Sequence, residues 1–298
     1  MLGGLFTNAV EAVARDLAVY GYFLTPKGRL VAEARLVPFG ESVLIDAPFE
    51  LDDPLLAHLR RYLPPIYATV EPAAGLERLS LVGPDSGRAA KAAFDVDAER
   101  LSAADALTCI DVGGMTATIR EPLEGPGLDL YVGHDPGSAW DRLRMAAVES
   151  GGGAASPEAY EVWRVERGLP ERGREASLEV LPQELCRIER AVSFEKGCYT
   201  GQEVVARIHY RGHVNRYLRH LELTTADGES VSEPPAPGAR LFQAEREVGK
   251  LTSVVRSPRR GIIGLGFVRR EVEAGETVAV GTEEGPQAIV RTLPFTSE

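Results

Sequence analysis

The chain has 298 residues, of which 44% are hydrophobic and 26% charged, and its 44 acidic against 33 basic side chains give a net charge of -11. That length exceeds the usual size of one core, so two or three domains are expected. The acidic balance excludes a surface built for wholesale nucleic-acid binding, and the lack of a run of roughly 18 apolar residues or of a basic, then apolar, leader predicts a cytoplasmic chain with no membrane helix.

From the N-terminus, "YGYFLTPKGRLVAEARLVPFGESVLIDAP" alternates strand-like runs with the turn signals Pro26-Lys27-Gly28 and Phe39-Gly40, which predicts a three-strand meander. Asp53 then caps a helix opening on Pro54, stopped by Pro64-Pro65. Next come a strand in "LERLSLVGP", a short helix in "GRAAKAAF", strands in "ALTCIDV" and "GLDLYVG", and a helix in "GSAWDRLRMAAVES", an α+β arrangement. Ser156 as N-cap, Pro157 in the first turn and Gly168 past the end frame another helix, which sets Tyr160, Trp163 and Glu166 near one face. "EVVARIHYRGH" is rich in β-branched residues and ends at a glycine, so it reads as strand and turn. "TADGESVSEPPAPGA" is a long loop, and the remaining strands and turns read as a small β-barrel or sandwich.

Three cysteines, Cys109, Cys186 and Cys198, form no C-x-x-C pair, which excludes a disulfide framework and a Cys-only metal site. Cys198 sits between glycines, two residues after Lys196, whose ammonium favours a reactive thiolate; a buried packing thiol is the alternative. Lys196, Arg207, Arg211, Arg216 and Arg219 face one acid, Glu203, across 24 residues, so this segment is either an anion-docking place or a solvated face. His209 and His213 would share a face only on a helix, and no third ligand accompanies them, so no metal site is expected. "GIIGLGFV" lacks the third glycine of a dinucleotide fingerprint and the double glycines lack a P-loop lysine.

"KGCYTGQEVVAR" is similar to the signature of the YgfZ family, folate-binding relatives of the glycine cleavage T-protein. "LFTNAV", "LTPKGRLVAEARL", "WRVERGLP" and "LPQEL...AVSFEKGCYTGQE" extend the resemblance over nearly the whole chain. The resemblance implies an α+β, three-domain T-protein-like fold around a central folate cavity. Residues 1–75 with parts of 155–215 would form the folate-binding domain, 76–154 a ferredoxin-like domain and 216–298 a C-terminal β-barrel. It implies tetrahydrofolate or a one-carbon derivative as cofactor, iron-sulfur enzymes as clients, tRNA-thiolating ones included, and no direct nucleic-acid contact. Carried onto matching positions, Glu166 pairs with the pterin or is a plain helix glutamate, and Tyr160 stacks on folate or fills a core. Cys198 is the functional thiol, with Lys196, Gly197, Tyr199, Gly201, Gln202 and Glu203 completing its motif. Arg207 lies near the glutamate tail or pairs with Glu203 on the surface.

Two departures stand out: the chain starts at Met1 almost on the first motif, so that an edge strand is missing or the start is late, and Ala9 follows Asn8 where the family prefers aspartate. A folate-dependent aminomethyltransferase of glycine cleavage type is the alternative, but Ala32 and Glu33 stand where that enzyme carries paired aspartates. A folate-liganded module that only docks clients is the third reading.

Overall fold

The computed structural model describes residues 1–48, 54–66, 68–94, 107–112, 114–120, 125–225 and 231–293. They fall into two compact units, residues 1–21 with 33–155 and residues 22–32 with 156–298.

The meander forms as read: β1 (Val19–Leu24), β2 (Leu30–Phe39) and β3 (Ser42–Asp46) make one sheet in that order. The "LFTNAV" segment runs into a 3-10 turn, Val10–Arg15, and Asn8 is tied in by donating to the Tyr20 carbonyl at 2.9 Å. Helix α1 (Pro54–Tyr62) ends ahead of the two prolines, while its expected cap, Asp53, lies outside the described residues. Strands β4 (Glu77–Val82), β5 (Cys109–Val112), β6 (Met115–Ile119) and β7 (Gly127–Val132) form an antiparallel sheet in the order β4-β7-β6-β5. Its apolar side packs on α2 (Ser86–Phe94) and α3 (Pro136–Glu149) through Ala89, Ala90, Leu130 and Leu143.

A charged cluster lies inside this unit. Asp129, on β7, is wholly buried and bound by Arg35 at 2.7 Å and Arg120 at 2.6 Å. Burial alone would raise its pKa, but the two guanidiniums outweigh that and hold it at about 2. A lone acid inside the apolar run "GLDLYV" was the available sign that a buried partner had to exist.

In the second unit, β8 (Arg216–Thr224), β9 (Arg240–Gln243), β10 (Arg246–Ser257), β11 (Gly261–Arg269), β12 (Thr277–Val280) and β13 (Gln287–Arg291) close into a barrel in the order β10-β11-β8-β13-β12-β9. Closure leaves no strand edge, and Leu221, Leu241, Leu251, Ile262 and Val290 fill the inside. The glycines of "GIIGLGFV" serve this packing, since a Cβ on Gly264 would stand 2.6 Å from the Ser253 carbonyl and one on Gly266 2.7 Å from that of Lys250.

Among the described residues the α-helices α4 (Pro157–Glu166), α5 (Ile188–Ala191) and α6 (Gln202–Arg211) accompany the barrel. α4 is framed as expected, with the Ser156 hydroxyl accepting from Ala159 N–H and Gly168 at φ 66° just past the end. α6 corrects the strand reading of "EVVARIHYRGH". β-branched residues cost a helix only about half a kcal/mol each, and Val205, fully buried, together with the Glu203–Arg207 pair one turn apart, outweighs that.

Candidate functional site

The signature loop is built on a close approach of two glycines. Gly28 at the tip of the β1–β2 hairpin has φ 71° and Gly201 has φ 85°; a Cβ on Gly201 would lie 2.7 Å from the Thr25 carbonyl and 3.1 Å from Gly28 Cα. Neither side chain nor ordinary φ fits here, so "TPKG" and "CYTG" each need their glycine. "LPQEL" is a second clamp: Gln183 donates to the Val205 carbonyl on α6 at 2.9 Å, and Glu184 pairs with Arg216 on β8 at 3.2 Å.

On this frame Cys198 is exposed, whereas Cys109 and Cys186 are half-buried and burial raises both of their pKa values. Lys196 places its ammonium 5.2 Å from the centre of the Tyr199 ring. Tyr199 itself is buried, its phenol pushed up to about 12 by burial, and its hydroxyl has no hydrogen-bond partner among the described residues. Gln202 opens α6 half-buried. Glu203 and Arg207 pair with each other at 2.5 Å on an exposed face, their side chains 84% and 68% accessible. His213 lies beyond the end of α6, and His209 stacks on Phe194 with ring centres 4.0 Å apart, so the two histidines share no helical face.

The other half of the predicted set lies on α4. Tyr160 is 51% exposed, with its ring 5.6 Å from that of Trp163. Glu166, at the helix end, accepts a 2.5 Å hydrogen bond from the Ser257 hydroxyl. Ser257 is buried at the β10–β11 turn and accepts from the N–H groups of Arg259 and Arg260, both at 3.1 Å. That uses the whole bonding capacity of the hydroxyl and aims its proton, so Glu166 Oε1 is fixed in place.

Sequence reasoning missed the support beneath Glu166. Arg164, 1% exposed, binds Glu161 at 2.6 Å, Glu175 at 3.3 Å, the Ser253 hydroxyl at 2.7 Å and the Leu169 carbonyl at 2.7 Å. Glu175 is fully buried and also takes the Ser253 proton at 2.7 Å, so the root of α4 is locked to strand β10. In sequence, "WRVERG" shows two arginines and two chemically plain roles; only Ser257, in the turn "SPRRG", carried a recognisable turn signal.

The predicted residues thus supply a fixed carboxylate and a half-exposed ring on α4 and, in the signature loop, a buried phenol with no hydrogen-bond partner among the described residues. The structure brings Lys196 to Tyr199 and Glu203 to Arg207, while Glu166 is held by Ser257.

With this geometry the fold is that of a glycine cleavage T-protein. A crystal structure of the aminomethyltransferase T of Bartonella henselae superposes with a TM-score of 0.76 at 19% identity, covering 94% of this chain and 76% of that one. Residues 216–296 match the glycine cleavage T-protein C-terminal barrel domain.

Within that class the chain is similar to YgfZ and IBA57 proteins, as the signature indicated. It is 25% identical to the mouse mitochondrial iron-sulfur cluster assembly factor IBA57 over 98% of this chain and 76% of that protein. It is 24% identical to the tRNA-modifying protein YgfZ of Yersinia pestis over 99% of this chain and 86% of that protein. A chloroplast protein of Arabidopsis thaliana is 33% identical, but the match spans 46% of this chain and 30% of its own length. Among the described residues no helix is long and apolar enough to cross a membrane.

Proposed function

We propose that the chain binds tetrahydrofolate, or a one-carbon derivative, and supports the assembly or repair of iron-sulfur enzymes, tRNA-thiolating ones among them. The observation that carries this reading is Glu166, a carboxylate fixed by Ser257 at the end of α4. It occurs in a chain similar along its length to proteins named for iron-sulfur cluster assembly and tRNA modification. Glu166 would accept from the pterin's donors and Tyr160 would stack on its rings. Lys196 and Arg207 would receive the glutamate tail, with Tyr199, Gln202 and Glu203 of the same motif completing the set. For that contact Arg207 exchanges its Glu203 partner, which costs only a few tenths of a kcal/mol at so exposed a position.

When bound, a reduced folate supplies one-carbon chemistry; the protein's own part is to orient it and to present a thiol. Cys198 is exposed, so a client can reach it without rearrangement of the loop. The aminomethyltransferase reading has less support: Ala32 is buried on β2 and offers no carboxylate at the position of one transferase aspartate.

The test is complementation. In cells deleted for this chain, wild type should restore the activity of an iron-sulfur tRNA-thiolating enzyme and Cys198→Ser should not. Full restoration by the variant would remove the thiol from the account, and failure of the wild type would remove the client class.

A further inference from the structure

We infer that the first unit holds a second small-molecule site, for a planar aromatic anion such as an aryl carboxylate, distinct from the residues assigned to folate. A cavity of about 620 Å³ opens between the Phe39-Gly40 turn, the β5–β6 turn and the start of α3. That volume falls within the roughly 300–1,000 Å³ typical of small-molecule pockets.

Its apolar lining is aromatic and thioether in character, supplied by Phe39, Phe94, Tyr131 and Met115. Tyr131 is buried and its hydroxyl donates to Asp46 at 2.9 Å, which commits its polar end elsewhere and leaves the ring to the cavity. Phe39 and Tyr131 also belong to a packed cluster with Ala18 and Val37, so that wall is preformed. Flat apolar walls of this kind favour a flat ligand.

The charge in the lining is set by two side chains. Arg142 lies with its guanidinium 4.6 Å from the centre of the Phe94 ring and donates one N–H to the Ala93 carbonyl. A guanidinium carries five donors in a planar fork, so the group is positioned on an aromatic wall with the geometry that grips a carboxylate. Asp135, the one acid in the lining, is committed to the start of α3, where its Oδ1 accepts from Ser138 N–H at 3.2 Å. The cavity therefore offers a ligand one guanidinium, while the Asp135 carboxylate, still charged, is held at the helix start through one of its two oxygens. None of these side chains belongs to the Glu166 or Cys198 sets.

The experiment is calorimetric titration of 2-naphthoate into the full chain, with 2-naphthamide as the uncharged control. Saturable one-to-one binding is expected, weakened about tenfold or more both by Arg142→Gln and by loss of the probe's charge. Ser138→Trp, on the exposed rim, should block the cavity without disturbing the core, and far-ultraviolet circular dichroism checks that each variant is folded. No binding of 2-naphthoate, equal affinity in folded Arg142→Gln, or displacement of the probe by tetrahydrofolate would each overturn the assignment.

Discussion

The two helices that carry the candidate site hold their charges in opposite ways. α4 is rooted in buried polar groups: Arg164 is 1% exposed and Glu175 fully buried, and together with Ser253 they satisfy one another. α6 carries Glu203 and Arg207 as a solvated pair, one turn apart, on an open face. A carboxylate at the end of α4 is thus held in one position, as recognition of a rigid heterocycle needs, whereas the charges of α6 can change partners at little cost. In the proposed function the two helices divide the work accordingly, α4 taking the rings of the cofactor and α6 its flexible anionic tail.

The sharpest way to break the contrast is Arg164→Ala. It strands Glu175 as an unpaired buried charge, so the unfolding free energy should drop by about 3–5 kcal/mol in urea titrations. A loss under about 1 kcal/mol would mean that α4 is not rooted as described.

Next in size is a pH effect from the barrel to which α4 is fixed. Burial, with help from Arg260 and Arg291, lowers the pKa of His220 to about 4 from 6.5. The unfolded chain therefore binds a proton that the folded barrel resists, so this stability is full above pH 6.5 and is lost as pH falls through about 4. The sum is about 3 kcal/mol. Denaturation midpoints measured between pH 7 and 4 should fall accordingly, and His220→Gln should flatten that part of the slope.

The smallest effect belongs to α6. Glu203→Gln should change stability by less than about 0.5 kcal/mol, because exposed pairs one turn apart are worth little. A midpoint shift beyond that in thermal denaturation would show that the pair has a structural role.

How much of this was legible depended on whether the signal was local. Ser156, Pro157 and Gly168 framed α4 because caps act over a few residues, and the meander and barrel followed from alternation and turns. α6 was misread because β-branched composition was weighed without the buried Val205 or the clamp from Gln183, both of which come from the tertiary structure. The glycines Gly28 and Gly201 were visible as turn signals, but their mutual approach joins segments more than 170 residues apart and leaves no local trace. Arg164, Glu175 and Asp129 were missed for a related reason: an arginine or carboxylate in sequence reads as surface, and only the fold shows which of them are buried with a partner. For the candidate site, the positions rest on the family resemblance, while the fixing of Glu166 by Ser257 came only from the structure.

The central claim is that Glu166, fixed by Ser257, recognises a folate. Calorimetric titration of tetrahydrofolate into wild type, Glu166→Ala and Ser257→Ala tests it most directly. The account predicts saturable binding by wild type, a loss of about 2 kcal/mol, roughly 30-fold in affinity, for Glu166→Ala, and a smaller loss for Ser257→Ala. Equal affinity in wild type and Glu166→Ala would contradict it.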